Sequence, residues 1–150
     1  MSFVTPIPPS VGDLITNARW VQDVVDNMIA MTPAGIPFFI DGGGGVLTTG
    51  IKGTIEVPFK CDINSVRLLA DQSGSVVVDI WKDTYANYPP TVADTITASD
   101  KPTLSAAQKN QNNNASTWTQ AFSKGDIILP NVDSVTTVEQ VVVFLRVAIL

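Results

Sequence analysis

Residues 138–150 read VEQVVVFLRVAIL, and this run decides the fold class. Successive side chains of a strand point to opposite faces, so Val141, Val143, Leu145, Val147 and Ile149 share one face. Val142, Phe144 and Ala148 share the other. Both faces are apolar, which predicts a strand that is central in its sheet or shared with a neighbour.

The same period of two returns upstream. In residues 75–82 (SVVVDIWK), Val76, Val78 and Ile80 alternate with Val77, Asp79 and Trp81. In residues 65–71 (SVRLLAD), Val66, Leu68 and Ala70 line one face, and Gln72, Ser73 and Gly74 give a turn signal between the two runs. In residues 54–60, Ile55, Val57 and Phe59 alternate with polar positions, and Pro58 suits an edge. Shorter strands are expected near 37–41, 45–50 and 126–132. Strands punctuated by Gly, Pro and Asn predict a mainly β chain. The architecture expected is an antiparallel, jelly-roll-like β-sandwich over residues 36–150. Residues 83–100, with Tyr85, Tyr88, Pro89 and Pro90, are expected as a loop, as is the Asn-rich stretch 109–116.

Residues 1–35 follow another pattern. Pro6, Pro8 and Pro9 disfavour regular structure in residues 1–12, which are expected as an extended arm. Leu14, Ala18, Val21, Val25 and Met28 then recur at spacings of four and three, the stripe of one short α-helix. Trp20, Val24 and Ile29 widen it, and Pro33 with Gly35 ends it. The stripe either packs on its own domain or joins copies of the chain in a helical bundle; its five residues are the candidate oligomerisation and attachment site.

Composition narrows the chemistry. A chain of 150 residues suits one domain that buries roughly 70 % of its unfolded surface. Charged residues make up 15 %, against ~25 % in ordinary domains, so Thr, Ser, Asn and Gln must cover much of the surface. Histidine is absent and Cys61 is the single cysteine. Ser-His-Asp and Cys-His pairs, a His/Cys zinc site and an intrachain disulfide are thereby removed. No catalytic, cofactor-binding or metal-ligating set is expected, and no enzyme. A net charge of −5 argues against nucleic acid and anionic membranes as partners. Residues 1–12 lack the charged start and apolar stretch of a signal peptide, which predicts synthesis and solubility in a cytoplasm.

The run 41–45 (DGGGG) fails the phosphate-loop spacing, because Lys52 falls one place late, and it fails the dinucleotide fingerprint at Leu47. A turn with positive φ, or close backbone approach, is expected there. Asp71 and Asp79 would sit on two strands of one hairpin, where paired carboxylates can cleave glycans. The simpler expectation is that they face solvent, or that Asp79 pairs with Arg67 or Lys82. Trp81, Tyr85, Tyr88 and Trp118 offer rings for sugar stacking or for ordinary core packing. Cys61 is expected as a small buried residue.

Residues 70–91 (ADQSGSVVVDIWKDTYANYPPT) carry a resemblance. With the preceding DGGGG, TG, KG and VPFKC elements, and residues 133–137 as a turn, residues 38–147 resemble a domain common in structural proteins of tailed bacteriophages. GDLITNARWVQDVVDN also looks like the short helix that opens many phage virion proteins. The resemblance implies a β-sandwich virion protein, a homotrimer, found in capsid decoration, head-fibre or tail-fibre components, on the exterior of the phage particle and made in the host cytoplasm. It supplies no catalytic residues. With no fibre shaft in the sequence, a trimeric capsid cement protein clamping the major capsid protein through its N-terminal arm is the reading chosen within that class. The alternative is a tail-attached or head-fibre adhesin for a host surface glycan, using Tyr85, Tyr88 and Trp118.

Overall fold

A computed structural model describes residues 34–150. Eight strands run through them: β1 (Ala34–Asp41), β2 (Gly50–Ile51), β3 (Ile55–Glu56), β4 (Cys61–Thr84), β5 (Thr103–Asn112), β6 (Ala121–Phe122), β7 (Asp126–Thr136) and β8 (Gln140–Ile149). Every pairing between them is antiparallel. The chain is mainly β, as its alternation predicts.

β4 is the spine. Val66 pairs with Leu145 of β8 on one edge and with Asn112 of β5 on the other. Val76 pairs with Val135 of β7 and with Leu104 of β5. β7 and β8 therefore lie end to end along one edge of β4, opposite β5. β1 adds outside β8, with Ala34 against Val147 and Asp41 against Gln140. The central position of β8 is the one its two apolar faces call for. β2 and β3 flank β7.

All eight strands belong to one sheet, in place of two separately bonded layers. The sheet curls at the middle of β4. Val66, Leu68, Val76, Val78 and Ile80 all have even numbers, so a straight strand would point them to one face. They share one buried cluster with Ile36, Phe38, Ile40, Ile128, Val132, Val143 and Leu145. That is the geometry of a sheet curled around its own inner face.

The expected turn at 72–74 is a bend within β4, not a hairpin. Its partners simply change there, from β8 to β7. Gln72 Nε2 donates to the Thr137 carbonyl, and Thr137 Oγ1 donates to the Ser73 carbonyl at 3.0 Å. Thr137 itself takes a φ of 62°. Gly74 is buried, and a Cβ there would collide with Thr137 and Val138. The glycine is needed for close approach between strands, not for chain reversal.

Three other expectations change. Of 45–50 and 54–60 only Gly50–Ile51 and Ile55–Glu56 are strand, because Gly50 and Gly53 take positive φ and Pro58 has no N–H to donate. Val57 is nonetheless fully buried, held by Val57 N donating to the Asp126 carbonyl at 2.8 Å. The Asn-rich stretch is strand as far as Asn112, since an exposed edge tolerates polar side chains while its backbone pairs. The glycine run is a turn as expected, with Gly43 and Gly44 at positive φ. The arm, the short helix and the stripe Leu14, Ala18, Val21, Val25 and Met28 lie outside the described residues.

Candidate functional site

Asp71 and Asp79 do not form a pair. They sit eight positions apart on the one strand β4. Asp71 is exposed, and its Oδ1 accepts from Gln140 N at 3.0 Å and Glu139 N at 3.3 Å. The backbone hydrogen bond from Gln140 chiefly holds its carboxyl below the ordinary range. It pins the start of β8 to the bend of β4.

Asp79 is 1 % exposed, against the expectation that it faces solvent. Neither Arg67 nor Lys82 reaches it. Arg67 Nε donates to Gln111 at 2.7 Å, and Lys82 Nζ donates to Asp126 at 3.2 Å. The cation at Asp79 is Lys101, at 3.1 Å, which also meets Asp133 at 2.6 Å. Asp79 Oδ1 accepts from Thr95 Oγ1 at 2.6 Å, Thr97 Oγ1 at 2.7 Å and Ile80 N at 2.8 Å. Oδ2 accepts from Trp81 Nε1 at 3.0 Å. Burial pushes the Asp79 carboxyl up, but the donors from Thr95, Thr97, Trp81 and Lys101 outweigh it and hold it below the ordinary value. The Lys101 ammonium is raised, first by its bond to Asp133. This clasp ties the 95–101 segment to β4. Both oxygens of Asp79 are already engaged, so the group is a fastener rather than a proton carrier.

The aromatic residues separate. Trp118 is buried, and its Nε1 donates to the Asp100 carbonyl at 2.9 Å, so its ring is not on the surface. Tyr85 and Tyr88 are 80 % and 54 % exposed. Tyr85 opens the 3-10 turn Tyr85–Asn87 that follows β4, and Tyr88 caps its end. Asp83 anchors that turn by accepting from Thr84 N at 2.7 Å and Asn87 Nδ2 at 3.1 Å. A second turn, Val92–Asp94, is closed by a reciprocal cap in which Thr91 N donates to Asp94 at 2.8 Å. Two exposed phenols on a stapled turn can stack on and hydrogen-bond to a hydroxyl-rich ligand.

A groove of about 560 Å³ is lined by Val66, Leu68 and Val77 of β4, by Lys101 and its neighbours, and by Asn110 and Asn112 of β5. The Asn residues and the tyrosines lie toward opposite ends of β4. Cys61 is buried, and desolvation raises its thiol pKa, so it is a core residue as expected. Among the described residues no cluster of His, Cys, Asp and Glu side chains could hold a metal ion, and no helix is long and apolar enough to cross a membrane.

The most unusual surface was not singled out from the sequence. On the outer face of the first half of the sheet, Phe39 pairs with Val142, and Val142 with Leu69. Phe39 is 68 % exposed and Leu69 52 %. The adjoining row is Pro37, Phe144 and Arg67. The ring of Phe144 lies where a Cβ on Gly35 would stand. The signal lay in the second apolar face of residues 138–150, repeated by Pro37 and Phe39 in β1. No family model, no curated protein and no solved structure matches this chain.

Proposed function

We propose that this chain is a structural protein of a tailed-bacteriophage virion, a non-catalytic, homotrimeric cement protein on the outside of the capsid. In this reading the curled sheet is a jelly-roll-like sandwich whose layers share β4. Residues 1–35 attach it to its own copies and to the major capsid protein. One observation carries the reading: residues 70–91, where the resemblance to phage structural proteins is most specific, supply the second half of the spine β4 and the turn that follows it. They hold the bend of β4, the Asp79 clasp and the stapled tyrosine turn. A decoration protein needs such a scaffold, with a broad contact face, more than it needs a reactive pocket.

The test is copy number in purified particles, by quantitative mass spectrometry against the major capsid protein. A ratio near that of the capsid protein is expected. Absence from particles overturns the reading. Truncation of residues 1–35 is expected to abolish capsid binding.

The exposure of Tyr85 and Tyr88 favours a second reading, a small tail-attached or head-fibre adhesin for a host surface glycan. A few copies per particle, with glycan-array binding lost in Tyr88→Ala while the fold persists, would select it. Trp118 drops out of that binding end because it is buried.

A further inference from the structure

The groove lined by β4, β5 and the residues around Lys101 is used by neither reading above. We propose that it binds a neutral, hydroxyl-rich ligand, a short saccharide, through Asp100, Asn110 and Asn112. Such a site stands apart from the virion reading. It is also distinct from the tyrosine turn, which lies toward the other end of β4.

The register of the two strands builds the site. Leu68 pairs with Asn110 and Val66 with Asn112, so each buried apolar side chain of β4 has a carboxamide directly across from it. Both carboxamides are fixed in place. Asn110 Nδ2 donates to the Thr103 carbonyl at 2.7 Å, and its Oδ1 accepts from Gln111 N at 2.8 Å. Asn112 Nδ2 donates to Asp100 Oδ2 at 2.9 Å, and its Oδ1 accepts from Asn114 N at 2.9 Å. An amide nitrogen carries two N–H donors, so within the described residues each keeps one to spare.

Asp100 is held as firmly. Its N donates to the Thr97 carbonyl at 2.9 Å, and its own carbonyl accepts from Trp118 Nε1 at 2.9 Å. Oδ2 also accepts from Thr117 Oγ1 at 3.2 Å. Among the described residues, Oδ1 accepts from no donor. A spare acceptor and a spare donor therefore belong to two side chains already bonded to each other. A sugar hydroxyl can donate to the first and accept from the second. Groups fixed before the ligand arrives lose little freedom on binding.

The rest of the lining selects among ligands. A volume of about 560 Å³ is that of a small-molecule site, but such sites are ordinarily lined by apolar and aromatic side chains. Here carboxamides and hydroxyls predominate and the described lining holds no aromatic ring, so a flat heteroaromatic ligand has nothing to stack on. An anion is disfavoured as well. The one cation of the lining, Lys101, is shared by Asp79 at 3.1 Å and Asp133 at 2.6 Å, and Asp100 would repel negative charge.

The full-length chain, labelled and applied to an array of neutral and acidic oligosaccharides, tests this. At least one neutral oligosaccharide should bind. Asp100→Asn puts a donor where the spare acceptor stands, and Asn110→Ala removes a carboxamide at an exposed position that the fold does not need. Each should weaken binding roughly tenfold or more, with the thermal unfolding of Asn110→Ala unchanged. Tyr88→Ala should bind as the unmodified chain does. The absence of any bound neutral oligosaccharide overturns the proposal. So does binding that survives both groove variants, or binding that acidic glycans win and inorganic phosphate competes away. Loss in Tyr88→Ala with retention in Asn110→Ala also overturns it, and gives the glycan to the tyrosine turn instead. Should Asp100→Asn fail to fold, Asn110→Ala decides alone.

Discussion

The two halves of β4 treat their outer faces in opposite ways. On the second half a carboxylate, Asp79, is buried and roofed by Thr95, Thr97, Trp81 and Lys101. On the first half Leu69 stands in the open, beside the exposed Phe39 that β1 contributes to the same row across β8. A charge removed from water demands fixed partners, because each missing hydrogen bond leaves a desolvated group uncompensated. The chain meets that demand internally, with residues 95–101. An apolar surface demands only cover of the right shape. The difference teaches that the buried charge is satisfied within residues 34–150, whereas the apolar row of the first half stays exposed among the described residues.

The contrast can be broken most forcefully at Asp79. Asp79→Ala leaves Lys101 with Asp133 alone and removes the acceptor of two hydroxyls, an indole N–H and the Ile80 N–H. It should cost about 3 kcal/mol in urea unfolding. A cost below about 1 kcal/mol would mean the clasp is ornamental. The pH dependence follows from the same group. The folded pKa of Asp79 lies below its unfolded value of 3.8. Its ionised form thus stabilises the fold above that value, and the contribution drains away as pH falls through the lower, folded pKa. Asp79→Asn should flatten that part of the acid unfolding profile while lowering stability at pH 7.

Gly74→Ala comes next, at about 2 kcal/mol, because the added carbon must displace Thr137 and Val138 at the bend joining the two halves. Phe39→Ala sharpens the comparison from the other side. At a ring 68 % exposed within the described structure, a bare surface would lose only a few tenths. The smallest effect belongs to Tyr88→Ala, under about 0.5 kcal/mol by thermal unfolding, since the phenol sits in solvent on an independently stapled turn.

The strands with strict alternation were legible. The runs 65–71 and 75–82 lie in β4 and 138–150 holds β8, with Val76, Val78, Ile80, Val66 and Leu68 in the core, while β1 and β7 fall near the shorter strands expected at 37–41 and 126–132. What alternation does not encode is which strand edge meets which. Gln72-Ser73-Gly74 carries the same letters as a hairpin turn. Only the end-to-end arrangement of β7 and β8, drawn from residues more than fifty positions away, makes it a bend. The partner of Asp79 was illegible for the same reason. Lys101 lies in a segment without periodicity, and the Thr95 and Thr97 hydroxyls look like ordinary loop polarity until the fold brings them over β4. Of the aromatic cluster, two phenols were readable as surface groups by their Pro-rich setting, while burial of Trp118 depends on tertiary contact. The outer apolar row could have been read from the second face of β8.

The spine also sets the order in which the protein can be made. Val66 is matched with Leu145, which follows it by 79 positions, and the span from Ala34 to Val147 is longer still. Synthesis at roughly 5–20 residues per second puts several seconds between the emergence of β4 and that of its partner β8. Through that interval the run Val66–Ala70, whose partners on one edge all lie in β8, has an unsatisfied edge, the kind of template on which nascent chains stick to one another. The yield of folded protein should therefore depend on translation speed and chaperone supply more than the stability of the finished sheet would suggest.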